Sequence, residues 1–507
     1  MSNTLYDALF APHLGSAQPY LVKPDGGVLT YGDFLKMAAR YAHAVAAAGV
    51  GPGDRIAVQI AKSPEALALY VASVQAGAIF LPLNTAYMPA EVEYFVGNAE
   101  PKLVVCDPSG REALAPITEN AGAVLETLAA DGSGTLSARA EGQPEAFDTV
   151  ARGPDDLAAF LYTSGTTGRS KGAMLTHDNL LSNAETLREV WRFTADDRLL
   201  HALPIFHTHG LFVAVNTVTA AGGSMIWLPG FKLDEVISHM PDATSMMGVP
   251  TFYTRLLDDA RFTRELVAHM RLFTSGSAPL LAETHVAFEE RTGHRILERY
   301  GMTETNMNTS NPYDGERRPG TVGMALPGVS LRIANPETGE VLKQGDVGVI
   351  EVKGPNVFKG YWRNPEKTAE EFRSDGFFIT GDLAFIDDEG YVHIVGRAKD
   401  LVISGGFNVY PAEVEAEIDA LPGVAESAVI GLPHADFGEG VTAIVAPRPG
   451  VNLSEDAIRS ALEDALAKYK VPKRVFVVDS LPRNTMGKIQ KNVLRETYKD
   501  TYSEDAA

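Results

Sequence analysis

A single cysteine, Cys106, among 507 residues excludes an internal disulfide and any multi-cysteine metal site. Its context, Lys102-Leu-Val-Val-Cys-Asp107, predicts the end of a strand. The thiol is therefore expected to be a small buried apolar group rather than a nucleophile. Positive charge is also scarce: 44 Lys and Arg stand against 65 Asp and Glu, a net charge of −21. Such a surface repels phosphodiester backbones and anionic lipid, which argues against nucleic acid and stable membrane association as partners. It also means that any anionic substrate needs a local cluster of cations. The N-terminus, Met1-Ser-Asn-Thr-Leu-Tyr-Asp7, lacks the basic start and apolar run of a signal peptide, so a cytoplasmic location is expected. Residues 66–83 carry no charge, but Gln75, Gly77 and Pro82 predict a buried helix, a turn and a strand there instead of a membrane span.

What remains is the composition of an ordinary globular chain, 45% hydrophobic and 21% charged. Short apolar runs such as Asp54–Ile60, Ala78–Leu83 and Leu103–Cys106 alternate with amphipathic stretches, one of them opened by Ser63-Pro64-Glu65. This alternation predicts an α/β fold with parallel sheets covered by helices. Residues 124–156, rich in Gly, Ala, Ser and acids, read as a surface excursion. The pattern changes at Gly396-Arg-Ala-Lys-Asp400. Beyond it a helix is expected over Pro411–Leu421, a second one capped by Ser454, and a strand at Val475, together a small α+β module. Two domains are thus expected, 1–396 and 397–507.

The strongest local signal is Tyr162-Thr-Ser-Gly-Thr-Thr-Gly-Arg-Ser-Lys-Gly172, which follows a predicted strand at Leu157–Leu161. Glycines let backbone N–H groups approach an anion, hydroxyls add donors, and Lys171 supplies a point charge for phosphate oxygens. The ending is not that of a Walker A loop. A flexible turn is the competing reading; the lysine and the preceding strand weigh against it. Further along stand Pro204-Ile-Phe-His207-Thr-His209-Gly210, Gly248-Val-Pro-Thr251, Ser275-Gly-Ser277-Ala-Pro279, Tyr300-Gly-Met-Thr303-Glu304, Thr380-Gly-Asp382, Gly396-Arg397, Ser404-Gly405-Gly406 and Pro482-Arg-Asn-Thr-Met-Gly-Lys488. Tyr300 offers a ring face on which adenine can stack. Glu304 is a hard oxygen ligand suited to magnesium, or else a helix-start carboxylate. Asp382 and Arg397 taken singly would be a surface ion pair. His207 and His209 lack a third metal ligand nearby and read as structural histidines.

In this order the motifs resemble those of the adenylate-forming superfamily, which includes acyl-CoA synthetases, firefly luciferase and peptide-synthetase adenylation domains. The resemblance covers nearly the whole chain. It implies an acid–thiol ligase that uses ATP, Mg2+ and coenzyme A through an acyl-adenylate. It implies a phosphate loop of Thr163, Ser164, Gly165, Thr166, Thr167, Gly168 and Lys171, a nucleotide site completed by Tyr300, Thr303, Asp382 and Arg397, and a metal held by Glu304 and Thr166. It implies that Lys488 stabilises the developing charge of the first half-reaction, and that His207 and Ser277 line the acyl pocket. It further implies that the small domain swings about a hinge at Lys399, bringing Gly405 and Gly406 to border the pantetheine tunnel. Lysine acetyltransferase and deacetylase acting on Lys488 are implied partners, since acetylation removes its charge.

The departures from the general pattern bear on the substrate. Glu298-Arg299-Tyr300-Gly301 has Arg where many members carry Gly. A planar guanidinium at an acyl pocket suits a second carboxylate on the substrate; a pair with Glu298 or another internal acid is the equal alternative from spacing alone. The text from Gly293 to Gly315, with His207-Thr-His-Gly-Leu-Phe212 and most of 353–440, resembles the malonyl-CoA synthetases. That implies malonate as the acid, with methylmalonate admitted because one methyl discriminates by only ~1–3 kcal/mol. The alternatives are a short-chain monocarboxylate–CoA ligase and, from another class, a non-catalytic nucleotide-binding protein.

Overall fold

The structure is a computed structural model that describes residues 2–163, 170–405, 407–434, 436–463, 465–484 and 487–502. Four sheets organise these residues. A six-stranded sheet runs in the order Val124–Thr127, Leu103–Cys106, Arg55–Gln59, Ile79–Pro82, Leu157–Thr163, Lys171–Thr176, parallel except for its last pair. A nine-stranded sheet carries a parallel centre of Ser224–Trp227, Arg198–His201, Ser245–Gly248, Leu272–Ser275 and Leu297–Met302. Strands covered on both faces read as unbroken apolar runs, which is why Leu103–Cys106 and Ile79–Pro82 are buried throughout. Ser63 caps the helix Pro64–Gln75 through its hydroxyl, with Pro64 at the first helical position, and the helix is buried almost all round. Residues 66–83 therefore form helix, turn and strand as expected, and no described helix is long and apolar enough to cross a membrane. Cys106 ends its strand, and burial pushes its thiol up to about 11.

The 124–156 stretch departs from expectation. Val124–Thr127 is the edge strand of the six-stranded sheet, and Thr135–Ala140 is a helix whose Leu136 is buried. Four residues at a sheet edge with one solvated end give too weak an alternation to separate from loop text.

A third, antiparallel sheet of Ser330–Ala334, Gly348–Lys353, Phe378–Ile386 and Val392–Arg397 leads to the small domain. Arg397 is the last residue of its final strand, so the expected 396/397 boundary falls one residue inside that strand, and the chain leaves it through the turn Ala398–Asp400. Beyond lie a five-stranded sheet and the helices Pro411–Asp419, Glu455–Glu463 and Lys491–Tyr498. This part has a core of its own, in which Val414, Ile418, Ile458 and Leu462 pack against Val441 and Val445. Truncating Ile458 to Ala should cost about 2–5 kcal/mol. Its loss should melt the small domain ahead of the large one, which calorimetry reads as a transition splitting in two.

Candidate active site

Parallel strands place their functional residues at their C-terminal ends. Here His201, Trp227, Gly248 and Ser275 end adjacent strands of the nine-stranded sheet, and Arg299 and Tyr300 lie on the next one, Leu297–Met302. Successive strand residues face opposite sides. Glu298 consequently turns away from Arg299 and meets His285 Nδ1 at 3.1 Å. The pair with Glu298 left open by the sequence is not formed.

Arg299 is 3% exposed, and its Nε and Nη2 have no hydrogen-bond partner among the described residues. Its guanidinium fills the space left by the missing side chain of Gly276: a Cβ there would stand 2.7 Å from Nε. Burial pushes its pKa down to about 9, against a smaller opposing pull from Tyr253. A guanidinium in that state is short of an anion. Beside Gly276, Ser277 adopts φ +73°, the left-handed region, and its hydroxyl lies 3.3 Å from His209 Nδ1. His209 Nε2 is another buried atom without a partner among the described residues. His207 Nδ1 accepts the His209 backbone N–H at 3.4 Å, so its neutral ring keeps the proton on Nε2, a donor available to a carboxylate. Burial, then the charges of Lys488 and Arg299, hold His207 down to about 3 and therefore neutral.

Tyr300 and Asp382 form the next part of the cleft. The Tyr300 hydroxyl donates to Asp382 Oδ2 at 2.5 Å, and Arg397, opposite Asp382 in the strand register, forms an ion pair with it, Nε to Oδ1 at 2.8 Å. Asp382 is buried, so this is not a surface ion pair. Glu304 occupies the turn between Leu297–Met302 and Asn306–Ser310 rather than a helix start. Its Oε1 accepts from the Tyr361 hydroxyl at 3.2 Å, and Tyr361 also donates to Glu371 at 2.5 Å. Burial raises the Glu304 pKa. A buried carboxylate with no ion-pair partner among the described residues fits Mg2+, which takes one or two protein carboxylates and completes its shell with phosphate and water. Lys171 Nζ rests 3.1 Å from Glu371 and over the Tyr361 ring at 4.3 Å. Glu371 carried no signal in the sequence: it is one acid in an acidic helical stretch. Thr163 ends its strand opposite Lys171, and Thr303 is partly buried beside Glu304. Ser164, Gly165, Thr166, Thr167, Gly168 and Gly406 lie outside the described residues.

Lys488 arrives from the small domain. Asn484 holds the turn that presents it, accepting the Lys488 backbone N–H at 2.9 Å on its side chain and the Gly487 N–H at 2.9 Å on its carbonyl. Gly487 takes φ +74° and packs toward Thr251 of the large domain. The side chain is open to the cleft, yet walled closely enough that desolvation, then Arg397, lower its pKa to about 8, while Asp382 and Glu304 oppose them. Lys488, Arg299, Arg397, Asp382, Glu304 and His207 thus share one cleft. Lys399 is exposed in the 398–400 turn, and Gly405, at φ +60°, belongs to a hairpin tip of the small domain.

Residues 15–362 match the sequence profile of AMP-binding enzymes, and residues 413–488 that of the AMP-binding enzyme C-terminal domain. The chain belongs to the AMP-binding enzyme family. It superposes with a TM-score of 0.97 on ATP-bound MatB from Rhodopseudomonas palustris, 61% identical over 99% of this chain and 100% of that one; the apo form of the same enzyme gives 0.85. It is 33% identical to the malonate–CoA ligase of Arabidopsis thaliana, over 97% of this chain and 88% of the relative. It is 37% identical to a feruloyl-CoA synthase from an Amycolatopsis species, over 94% and 95%.

Gly276 offers a test of how Arg299 is seated. Gly276→Ala should displace the guanidinium and lower kcat/KM for the acid by roughly 10–100-fold. KM for ATP should stay within about twofold, because the nucleotide groups are untouched. Steady-state kinetics with each substrate varied in turn measures both.

Proposed function

We propose that the chain is a malonate–CoA ligase: malonate and ATP give malonyl-adenylate and diphosphate, and coenzyme A then displaces AMP to give malonyl-CoA. The observation that carries this reading is the buried, unneutralised Arg299 at the acyl end of the cleft. Malonate is the short acid whose second carboxylate supplies the missing anion, and its planar geometry suits the guanidinium fork. The likeness to MatB and to a malonate–CoA ligase supports it. Methylmalonate fits the same scheme, since its distal carboxylate is unchanged.

In the first half-reaction a carboxylate oxygen of malonate attacks the α-phosphorus and diphosphate leaves. His207, neutral with Nε2–H, orients the reacting carboxylate while Arg299 holds the distal one. Lys488 lies where charge builds on the α-phosphate and the attacking oxygen, stabilising the transition state electrostatically. Asp382 accepts from ribose hydroxyls, with Arg397 keeping its orientation, and Tyr300 presents its ring to adenine. Lys171 exchanges Glu371 for phosphate oxygens. Glu304 would hold Mg2+, which neutralises phosphate charge when bound. No covalent enzyme intermediate is required. In the second half-reaction the small domain turns about the 398–400 segment, Lys488 withdraws, and the hairpin bearing Gly405 takes its place beside the thiol.

Arg299→Ala should lower kcat/KM for malonate roughly 100-fold or more, and that for propionate far less. Lys should not replace it, because it lacks the fork. Equal losses with both acids would make Arg299 a structural residue.

Lys488→Ala should reduce adenylation by orders of magnitude and leave thioester formation from preformed malonyl-adenylate nearly intact; single-turnover assays of each half separate the two. Acetylation of Lys488 should act alike. The ammonium must be charged to work, so with its pKa near 8 in the free enzyme, kcat/KM for adenylation should fall as pH rises through that value.

Lys399→Pro should show the reverse split. Proline suits the second position of the 398–400 turn but fixes its φ, so adenylation should persist while the thioester step slows.

A further inference from the structure

Lys62 is a lysine that the proposed mechanism leaves unused. It follows the strand Arg55–Gln59. Its Nζ donates to His201 Nδ1 at 2.7 Å and to the His201 carbonyl at 2.8 Å, and lies over the Trp227 ring at 4.3 Å. No carboxylate pairs with it among the described residues. Desolvation holds its pKa well below the ordinary lysine value. His201 itself is buried, stacked obliquely on Trp227 at 4.8 Å, and its Nε2 meets the Gly210 carbonyl at 2.8 Å.

The Lys62 amine, charged or neutral, can donate to Nδ1, and the Gly210 carbonyl can only accept. Lys62 therefore makes Nδ1 of His201 the acceptor and places the ring proton on Nε2, where it bonds the Gly210 carbonyl. In the other tautomer two lone pairs would face each other across 2.8 Å. Gly210 closes the corner that bears His207 and His209. That corner is tightly folded: the Pro204 carbonyl occupies the space a Cβ at Gly210 would need, and the Leu211 N–H bonds the His207 carbonyl at 3.0 Å. The segment His209–Val215 is a π-helix, a rare geometry that is frequent at functional sites. The corner's position is thus tied from outside by one imidazole, held at Nδ1 by the Lys62 amine and at Nε2 by the Gly210 carbonyl, the two together favouring one tautomer.

We propose that Lys62 is a positioning residue for the acyl pocket: by fixing the Nε2–H tautomer of His201 it anchors the Gly210 carbonyl, and with it the backbone that aims His207 and His209 at the acid. The kinetic part of this inference rests on the malonate reading; the tautomer part does not.

The test compares Lys62→Met, which removes the donor, with Lys62→Gln, which keeps a donor without the charge. Long-range 15N–1H spectra of histidine-labelled protein read the His201 tautomer directly, whatever acid the enzyme activates. Wild type and Lys62→Gln should show the Nε2–H form, and Lys62→Met a mixture. With malonate, Lys62→Met should lower kcat/KM about tenfold at unchanged KM for ATP, and Lys62→Gln should recover to within about threefold. If Lys62→Met does not fold, His201→Leu, which can neither accept from Lys62 nor donate to Gly210, decides the matter: a loss in kcat/KM for malonate like that expected of Lys62→Met supports the proposal, and wild-type kcat/KM overturns it. A tautomer unaltered in Lys62→Met overturns the proposal. So does an equal rise in the KM for malonate in both Lys62 variants, which would mean that the charge acts rather than the hydrogen bond. An enzyme inactive on malonate but with the expected spectra would instead fail the malonate reading alone.

Discussion

A buried guanidinium with no counter-charge among the described residues is the constraint around which the proposed acyl end of this cleft is built. Arg299 is 3% exposed in a chain with 65 acidic residues, yet its immediate sequence neighbour Glu298 is turned to the opposite face by strand alternation and satisfied by His285. Gly276 gives up its side chain to make room, and Ser277 takes a left-handed backbone just beside it. Each feature costs stability: a buried cation and a His209 Nε2 unpaired among the described residues, and a Ser277 in left-handed backbone. Under the proposed reading the substrate anion offsets these costs, and the specificity follows from the same term. An acid lacking the second carboxylate leaves Arg299 as it found it.

The rest of the site arranges charge on a chain whose net charge is −21. Substrates that are all anions cannot be gathered by long-range attraction to such a surface, so cations converge locally: Arg299 from the nine-stranded sheet, Arg397 from the third sheet, Lys488 from the small domain. Asp382 and Glu304 lie among them, drawing Lys488 up as Arg397 and burial draw it down. Asn484 fixes the Lys488 backbone within the small domain, so under the proposed scheme its charge moves with that domain. The two half-reactions of that scheme need this, since the cation that favours adenylation has no task when the thiol attacks.

Much of this could be read from residues alone. The alternating apolar runs gave the parallel strands and Ser63-Pro64 the helix start. What stayed hidden was set by long-range packing. Whether Arg299 paired with Glu298 depended on which face of a strand each took, and the text around them is compatible with either. Glu371 meets Lys171 from 200 positions away, and Lys62 meets His201 from 139, with no local pattern to mark either contact. The edge strand Val124–Thr127 was lost in polar surroundings. The value of Gly276 lay in a motif recognised as a whole, but its reason, room for a guanidinium, needed three dimensions.

The central claim is that the protein selects its acid through a second carboxylate. The most direct measurement is diphosphate release by the unaltered enzyme with malonate, methylmalonate, propionate and the monomethyl ester of malonate, each compared as kcat/KM. The account expects malonate to exceed propionate and the monoester by about 100-fold or more, with methylmalonate near malonate. Propionate or the monoester turning over as well as malonate would contradict it.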